Sequence, residues 1–216
     1  MLLRVLRALA ASAAVARIVV VIDRPQVMDG FPDVGKAVSV RPAAEGPSAS
    51  VALALAAEGT PLLVTTADHA LLQGNWVDEF VSATLRDPSA DAFIALARSE
   101  AVLAAAPATV RTWLRFADGA YSGCNLFLLR TPKALGIVQL WRRLEAARKK
   151  PLTLLRRLGF AYVLRYRFGW LRLEQALDRL GTLTGARLAP VLLGDGRAAI
   201  DVDKPADLEL VRHLIR

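Results

Sequence analysis

Two acidic stretches carry most of the chemistry legible in this chain. The first, Pro61–Leu72 (PLLVTTADHALL), opens as an apolar, β-branched run that reads as a buried strand and stops at Thr66, Ala67 and Asp68. A carboxylate at the carboxyl end of a buried strand sits where open α/β sheets take their ligands, although the same residue could simply cap a helix starting near Ala70. The second stretch, Ala198–Leu208 (AAIDVDKPADL), places Asp201 and Asp203 two residues apart. In extended backbone they point to the same side, and two like charges there are unfavourable without a positive partner. A hard divalent cation such as Mg²⁺ answers that need, because it takes carboxylate oxygens and keeps waters that phosphate can replace. The plainer reading is an exposed strand end, a Lys204-Pro205 turn and an N-capped helix, with Asp203 as the cap. The ion requires Asp68, Asp201 and Asp203 to converge in one cleft, with Asp201 the better ligand of the pair.

Other residues are candidates of a lesser kind. Gly46-Pro-Ser-Ala-Ser50 is a small, hydroxyl-bearing turn that opens a helix. Its free backbone amides suit an anion or a base, and Ser48 would equally serve as an N-cap. His69 reads as a loop residue satisfied by backbone. Cys124, the single cysteine, has no His/Asp pattern around it and reads as a small buried residue rather than a nucleophile. One cysteine forms no internal disulfide, which suits a reducing cytoplasm.

The elements that must hold these residues alternate. Ile18–Ile22, Leu62–Thr65, Ala92–Leu96 and Leu126–Leu129 read as buried strands, with a short strand expected near Ala37–Val40. Helices are expected over Leu2–Val15, from Val51, over Trp76–Leu85 with Asn75 as cap, and from Pro132. This pattern predicts an α/β fold, a doubly wound mostly parallel sheet with all four strands in one central sheet, and a single domain over 1–216. Residues 140–187 break the rhythm as a basic helical insertion, with helices expected over Ile137–Lys150, Leu152–Tyr166 and Leu173–Leu183. The net charge of +8 belongs to this segment: residues 140–179 hold eleven Lys/Arg against three Asp/Glu, and the remainder holds 17 of each. Phe160, Tyr162, Tyr166, Phe168 and Trp170 interleave with Arg156, Arg157, Arg165, Arg167 and Arg172. That is either arginine lying over an apolar core or a face for a phosphorylated ligand or an anionic membrane. Nucleic acid is the weaker partner, since no binding motif accompanies the charge. Met1–Ala16 could be read as a secretory signal, but Arg7 cuts its apolar core to a short, alanine-rich run, and no stretch reaches the ~18 apolar residues of a spanning helix.

The residues together resemble the nucleotidyltransferases of glycosyltransferase-A-like fold, among them molybdenum cofactor guanylyltransferases, sugar-phosphate nucleotidyltransferases and cytidylyltransferases. Leu3–Asp23 is similar to the family's first helix and second strand, Gly46–Val51 to the turn that helps hold the nucleotide base, and Leu62–His69 to the strand ending in the metal-binding aspartate. Ile200–Leu208 resembles the closing motif, and Tyr121–Arg130 the glycine-containing strand beside the acceptor pocket. The resemblance implies an enzyme in which the phosphate of a small-molecule or lipid-linked acceptor attacks the α-phosphorus of a nucleoside triphosphate and releases pyrophosphate. Asp68 would be catalytic and would bind Mg²⁺ with Asp201 or Asp203. Gly46, Ser48, Ser50 and Asp68 would hold the nucleotide, and Gly123 and Asn125 the acceptor. The family's opening strand and Gly-rich triphosphate loop have no counterpart in the sequence, so that element lies upstream of Leu2 or is lacking. A non-catalytic nucleotide- or partner-binding relative is one alternative. A nucleotide-sugar glycosyltransferase is another, disfavoured because Thr66, not a second aspartate, stands two residues before Asp68.

Overall fold

The computed structural model describes residues 1–146 and 159–215. The strands are β1 (Ile18–Ile22), β2 (Val38–Pro42), β3 (Leu62–Thr65), β4 (Ala92–Arg98), β5 (Leu114–Phe116), β6 (Gly119–Leu129) and β7 (Leu188–Leu192). The helices are α1 (Leu2–Ala11), α2 (Pro47–Glu58), α3 (Gly74–Thr84), α4 (Ser99–Ala105), α5 (Leu135–Ala146), α6 (Phe160–Arg167), α7 (Leu173–Thr184) and α8 (Pro205–Leu214). The larger sheet has the order β3-β6-β4-β7, with β5 also on β6. β3, β4 and β5 run antiparallel to β6, and β7 runs parallel to β4. β6 is therefore the one reversed strand of a sheet otherwise running in a single direction. The α/β, mostly parallel class is as expected.

The arrangement of its strands differs from expectation in two respects. β1 lies outside the larger sheet and pairs in parallel with β2 alone. β3 closes one end of the strand order instead of sitting at its centre. The cause lies in the hydrogen bonds. Ile18 donates to the Ala37 carbonyl and Ala43 donates to the Ile22 carbonyl, so the even-numbered residues of β1 face β2. The backbone groups of Val19 and Val21 then point to the opposite edge, where no strand among the described residues pairs.

Alternation of the two sheet faces along each strand divides the large sheet between two helical layers. Phe93, Ala95 and Ala97 of β4, Cys124, Leu126 and Leu128 of β6, and Ala189 and Val191 of β7 share one core with Val5, Leu6 and Leu9 of α1, Trp76, Val77 and Phe80 of α3, Val102 of α4 and Val211 of α8. On the other face Ala92 and Leu129 pack with Leu55 of α2 and Val138 of α5, while Leu96 and Tyr121 pack with Leu173 and Leu177 of α7. The C-terminal end of the 140–187 segment is thus built into the core, whereas α6 buries no residue. Arg156, Arg157 and the helix boundaries expected at 150 and 152 fall outside the described residues. Two caps also differ: Gln73, not Asn75, precedes α3, and Gly46, not Ser48, precedes α2, because Pro47 takes the first helical position.

Candidate active site

The two acidic stretches meet. β3 ends at Thr65, and residues 66–72 form turns before α3 begins at Gly74, so Asp68 caps no helix. Val202 donates its backbone N–H to the Asp68 carbonyl at 3.1 Å, joining the Asp201–Asp203 segment to the end of β3. Asp203 is released from capping by Asp207, whose Oδ2 accepts from the backbone amides of Asp203 at 3.1 Å and Lys204 at 2.8 Å. Pro205 opens α8 where no amide is needed.

The three carboxylates have distinct surroundings. Asp201 is fully engaged: Arg111 pairs with its Oδ1, and Asn125 Nδ2 donates to its Oδ2 at 2.7 Å. The pair is nearly enclosed, with side chains 11 % and 13 % exposed for Arg111 and Asp201. Burial works to raise the Asp201 pKa, but the hydrogen bond and charge of Arg111, with Asn125, bring it below the ordinary carboxylate value. Asp203 moves the other way. The Asp201 charge, then burial, then the Asp68 charge raise its pKa. Asp68 leaves Oδ1 buried without a hydrogen-bond partner. The two carboxylates left open to a cation are therefore Asp68 and Asp203, reversing the ranking expected from sequence, because Arg111 already compensates Asp201. No group of three His, Cys, Asp or Glu among the described residues is arranged to hold a metal ion.

Asn125 reaches Asp201 because β6 is irregular there. The β4–β6 register slips between Ile94 and Leu96, which face Phe127 and Gly123. Asn125 lies in the slipped stretch at φ 48°, the only left-handed non-glycine residue among those described. Bulges re-aim side chains beside active sites, and asparagine tolerates this conformation better than most residues. A Cβ added at Gly123 would meet nothing within 4 Å, so the strand leaves open space there.

Every buried side-chain nitrogen or oxygen without a hydrogen-bond partner among the described residues falls in one of two stretches. Thr65 Oγ1, Thr66 Oγ1, Asp68 Oδ1 and both ring nitrogens of His69 lie at the end of β3; Thr109 Oγ1 and Arg111 Nε lie in the loop between α4 and β5. The Arg111–Asp201 pair and the Val202–Asp68 hydrogen bond tie the two stretches together. Native interiors leave few polar groups unsatisfied, and such a concentration marks a place where a polar ligand completes the set. His69 stacks on Trp76 with ring centroids 6.4 Å apart. Burial, against the pull of Asp201 and Asp68, depresses its pKa to about 4 and keeps it neutral. The Ala198 backbone bears on the ring, as expected of a loop histidine, but leaves neither nitrogen with a well-formed hydrogen bond.

The Gly46–Ser50 turn is not empty either. Ser48 is buried, and its Oγ and backbone N–H both donate to the Glu145 carboxylate of α5. Ser50 Oγ accepts from the Ala44 amide at 3.0 Å. A side-chain anion thus already occupies the N-terminus of α2, the kind of position that favours negative charge. Cys124 is buried as expected, and burial pushes its thiol up to about 12. Arg111 is the residue the sequence reading missed. It lies in a loop without periodicity, and only the long-range contact to Asp201 distinguishes it from other arginines.

The fold has counterparts. A transferase structure from Thermus thermophilus, described as hypothetical, is 28% identical with a TM-score of 0.80, covering 96% of this chain and 85% of that one. A structure of CMP:2-keto-3-deoxy-manno-octonic acid synthetase complexed with CTP is similar in fold at 16% identity and TM-score 0.58, covering 99% of this chain and 86% of that one. A 4-diphosphocytidyl-2C-methyl-D-erythritol synthase from Anaerococcus prevotii matches at 11% identity and TM-score 0.56, covering 100% and 89%. No curated protein matches the sequence. The family described as MobA-like NTP transferase domain matches residues 1–161, a span that includes Asp68 and Asn125, and the chain is a member of the MobA-like NTP transferase family.

Proposed function

We propose that this chain transfers a nucleoside monophosphate from a nucleoside triphosphate to a phosphorylated acceptor. The observation that carries this is the junction of Asp68 with the Asp201–Asp203 segment amid the concentration of unsatisfied buried polar atoms. An acceptor phosphate oxygen attacks the α-phosphorus, the bond from that phosphorus to the β-phosphate bridging oxygen breaks, and pyrophosphate leaves with the electron pair. The attacking oxygen is already anionic, so no protein nucleophile or base is required. Asp68 and Asp203 fit a hard divalent cation such as Mg²⁺, since both offer carboxylate oxygens without a cationic partner, and this ion takes one or two carboxylates with waters and phosphate oxygens. When bound, it would neutralise charge on the phosphates. Asn125 and Gly123 border the acceptor side, the first holding Asp201 and the second leaving space. Pyrophosphate release from each of the four nucleoside triphosphates, with a panel of sugar phosphates and Mg²⁺, tests the reading. Asp68→Asn should lower turnover by about a hundredfold or more, the scale at which lost transition-state electrostatics act. Turnover undiminished in Asp68→Asn would remove Asp68 from the chemistry.

The working place we propose is the surface of an anionic bilayer in the cytoplasm. No helix among the described residues is long and apolar enough to cross a membrane. Exposed aromatic side chains nevertheless gather on and just after α6: Phe160 is 67 % exposed, Phe168 58 % and Trp170 67 %. Phe168 and Trp170 stack at 5.2 Å, and Arg165, Arg167 and Arg172 flank them with no acidic residue from 159 to 173. Aromatics at the headgroup level beside arginines suit anionic lipid. Binding to phosphatidylglycerol-containing vesicles should exceed that to pure phosphatidylcholine, fall with salt, and drop in Phe168→Ala/Trp170→Ala. Equal binding to both vesicle types would count against it.

A further inference from the structure

The α4–β5 loop, residues 106–113, has no part in the roles assigned to Asp68 and Asp203, yet among the described residues it brings the one guanidinium paired with the carboxylate cluster. Three features of Arg111 need a joint account. Its Nη1 is spent on Asp201. Its Nε is buried and donates to nothing. Two residues earlier, Thr109 Oγ1 is likewise buried and unpartnered. A structural ion pair has no use for an orphaned donor in the same fork, because an unsatisfied buried N–H costs as much as a good hydrogen bond contributes. The planar guanidinium presents its donors in a fork matched to the oxygens of phosphate, and the Thr109 hydroxyl two residues earlier is one more unspent donor in the same loop.

The position of this fork selects the ligand. Acceptor phosphate and triphosphate are both anionic, and both approach a centre where Asp68, Asp201 and Asp203 repel them. Arg111 is close enough to Asp201, Asp203 and His69 for its charge to act on all three. The loop that carries it has no regular structure between Ala105 and Leu114, and the neighbouring Val110 is almost fully exposed, so the backbone that carries the enclosed Arg111 side chain is held by few packed contacts.

We propose that Arg111, with Thr109, forms a phosphate-binding subsite for the monophosphate of the acceptor. Asp201 is the stand-in anion that holds the guanidinium until the phosphate arrives. Asn125 remains on Asp201 Oδ2 throughout, keeping that carboxylate oriented while its other oxygen is released. The subsite rests on the nucleotidyl-transfer reading for its choice of acceptor, but its phosphate chemistry is measurable without nucleotide.

The test uses the full chain and inorganic phosphate as the probe, without metal or nucleotide. Proton–nitrogen correlation spectra resolve the arginine Nε–H signals, and Arg111→Lys identifies the Arg111 signal by its loss. Phosphate should move that signal saturably, and chloride at equal ionic strength should not. Phosphate affinity should fall about tenfold or more in Arg111→Ala, in keeping with the loss of charged hydrogen bonds. Because Arg111→Ala leaves Asp201 buried without its partner, Arg111→Ala/Asp201→Asn removes that liability and should show the same loss with a cooperative thermal transition. An Arg111 signal unmoved by phosphate, or phosphate binding unchanged in the double variant, overturns the subsite. Saturable binding at Arg111 in a chain that never releases pyrophosphate would leave the subsite standing and refute the transfer reaction instead.

Discussion

Asp201 is the residue whose surroundings most changed its assignment. Alone in the sequence it is a metal ligand beside a twin; in the folded chain it is the anchor of Arg111 and Asn125, and Asp203 inherits the free carboxylate. Asn125 is bound to that arrangement by its own backbone. A β-branched replacement at φ 48° adds strain and removes the amide, so Asn125→Val should lower stability by about 1–3 kcal/mol, read as a lower urea midpoint at unchanged slope, with Asn125→Gly less affected. An Asn125→Val midpoint at or above that of the parent protein would refute the strain. Cys124 gives a second expectation at this scale. Its thiol, raised to about 12 by burial, should resist iodoacetamide at about pH 8 in the native chain and react once urea exposes it. The sign for stability follows. The native state keeps its proton above the ordinary value of 9.0, the unfolded state loses it, and this contribution, complete below 9.0, is lost as pH rises toward about 12. Prompt native labelling would show that the thiol is not sealed.

Among the elements, the turn 196–199 and α4 decide where Asp201 stands. Gly196 presses against the backbone of Ala101 so closely that an added Cβ would overlap the Ala101 carbonyl. Asp195 caps the turn by accepting from the Arg197 amide, and Ala198, Ala199 and Ile200 are buried immediately before Asp201. Gly196→Ala should therefore destabilise by about 1–3 kcal/mol, the usual cost of overpacking, and weaken the Arg111–Asp201 pairing by displacing the segment. Gly194→Ala is the control, since its Cβ would meet nothing within 4 Å. Equal thermal transitions for both variants would mean that the close approach relaxes freely. The capping of α2 by Glu145 acts at the same scale, because it couples the start of α2 to α5 through Ser48.

Across the whole molecule, pairing is uneven. β4 and β6 are each bonded on both sides, whereas β1 bonds only β2, whose residues are all exposed. Hydrogen exchange should reflect this: amides of β4 and β6 should be the slowest, and Val19 and Val21 of β1 distinctly faster than Ile18 and Val20, which face β2. Uniform protection along β1 would show a partner on its outer edge. Edges of this kind invite pairing with another chain.

The sequence by itself determined what depends on local pattern. Alternation of buried strands and amphipathic helices was enough for the α/β class, since burial with period two or 3.6 is written in the order of residue types. The strand end at Asp68, the closing Asp-Val-Asp segment and the burial of Cys124 were legible for the same reason, and the family followed from those stretches. Tertiary structure alone decided which edges pair, because hydrogen bonding between strands joins residues remote in sequence: β1 stands apart with β2, and β3 ends the larger sheet. It alone decided that Ser48 serves Glu145, that Asn125 turns at a register slip, and that Arg111 claims Asp201. Each of these is a contact between charges or dipoles brought together from distant positions, and the strength of such a contact comes from separation and burial in space, on which spacing along the chain is silent.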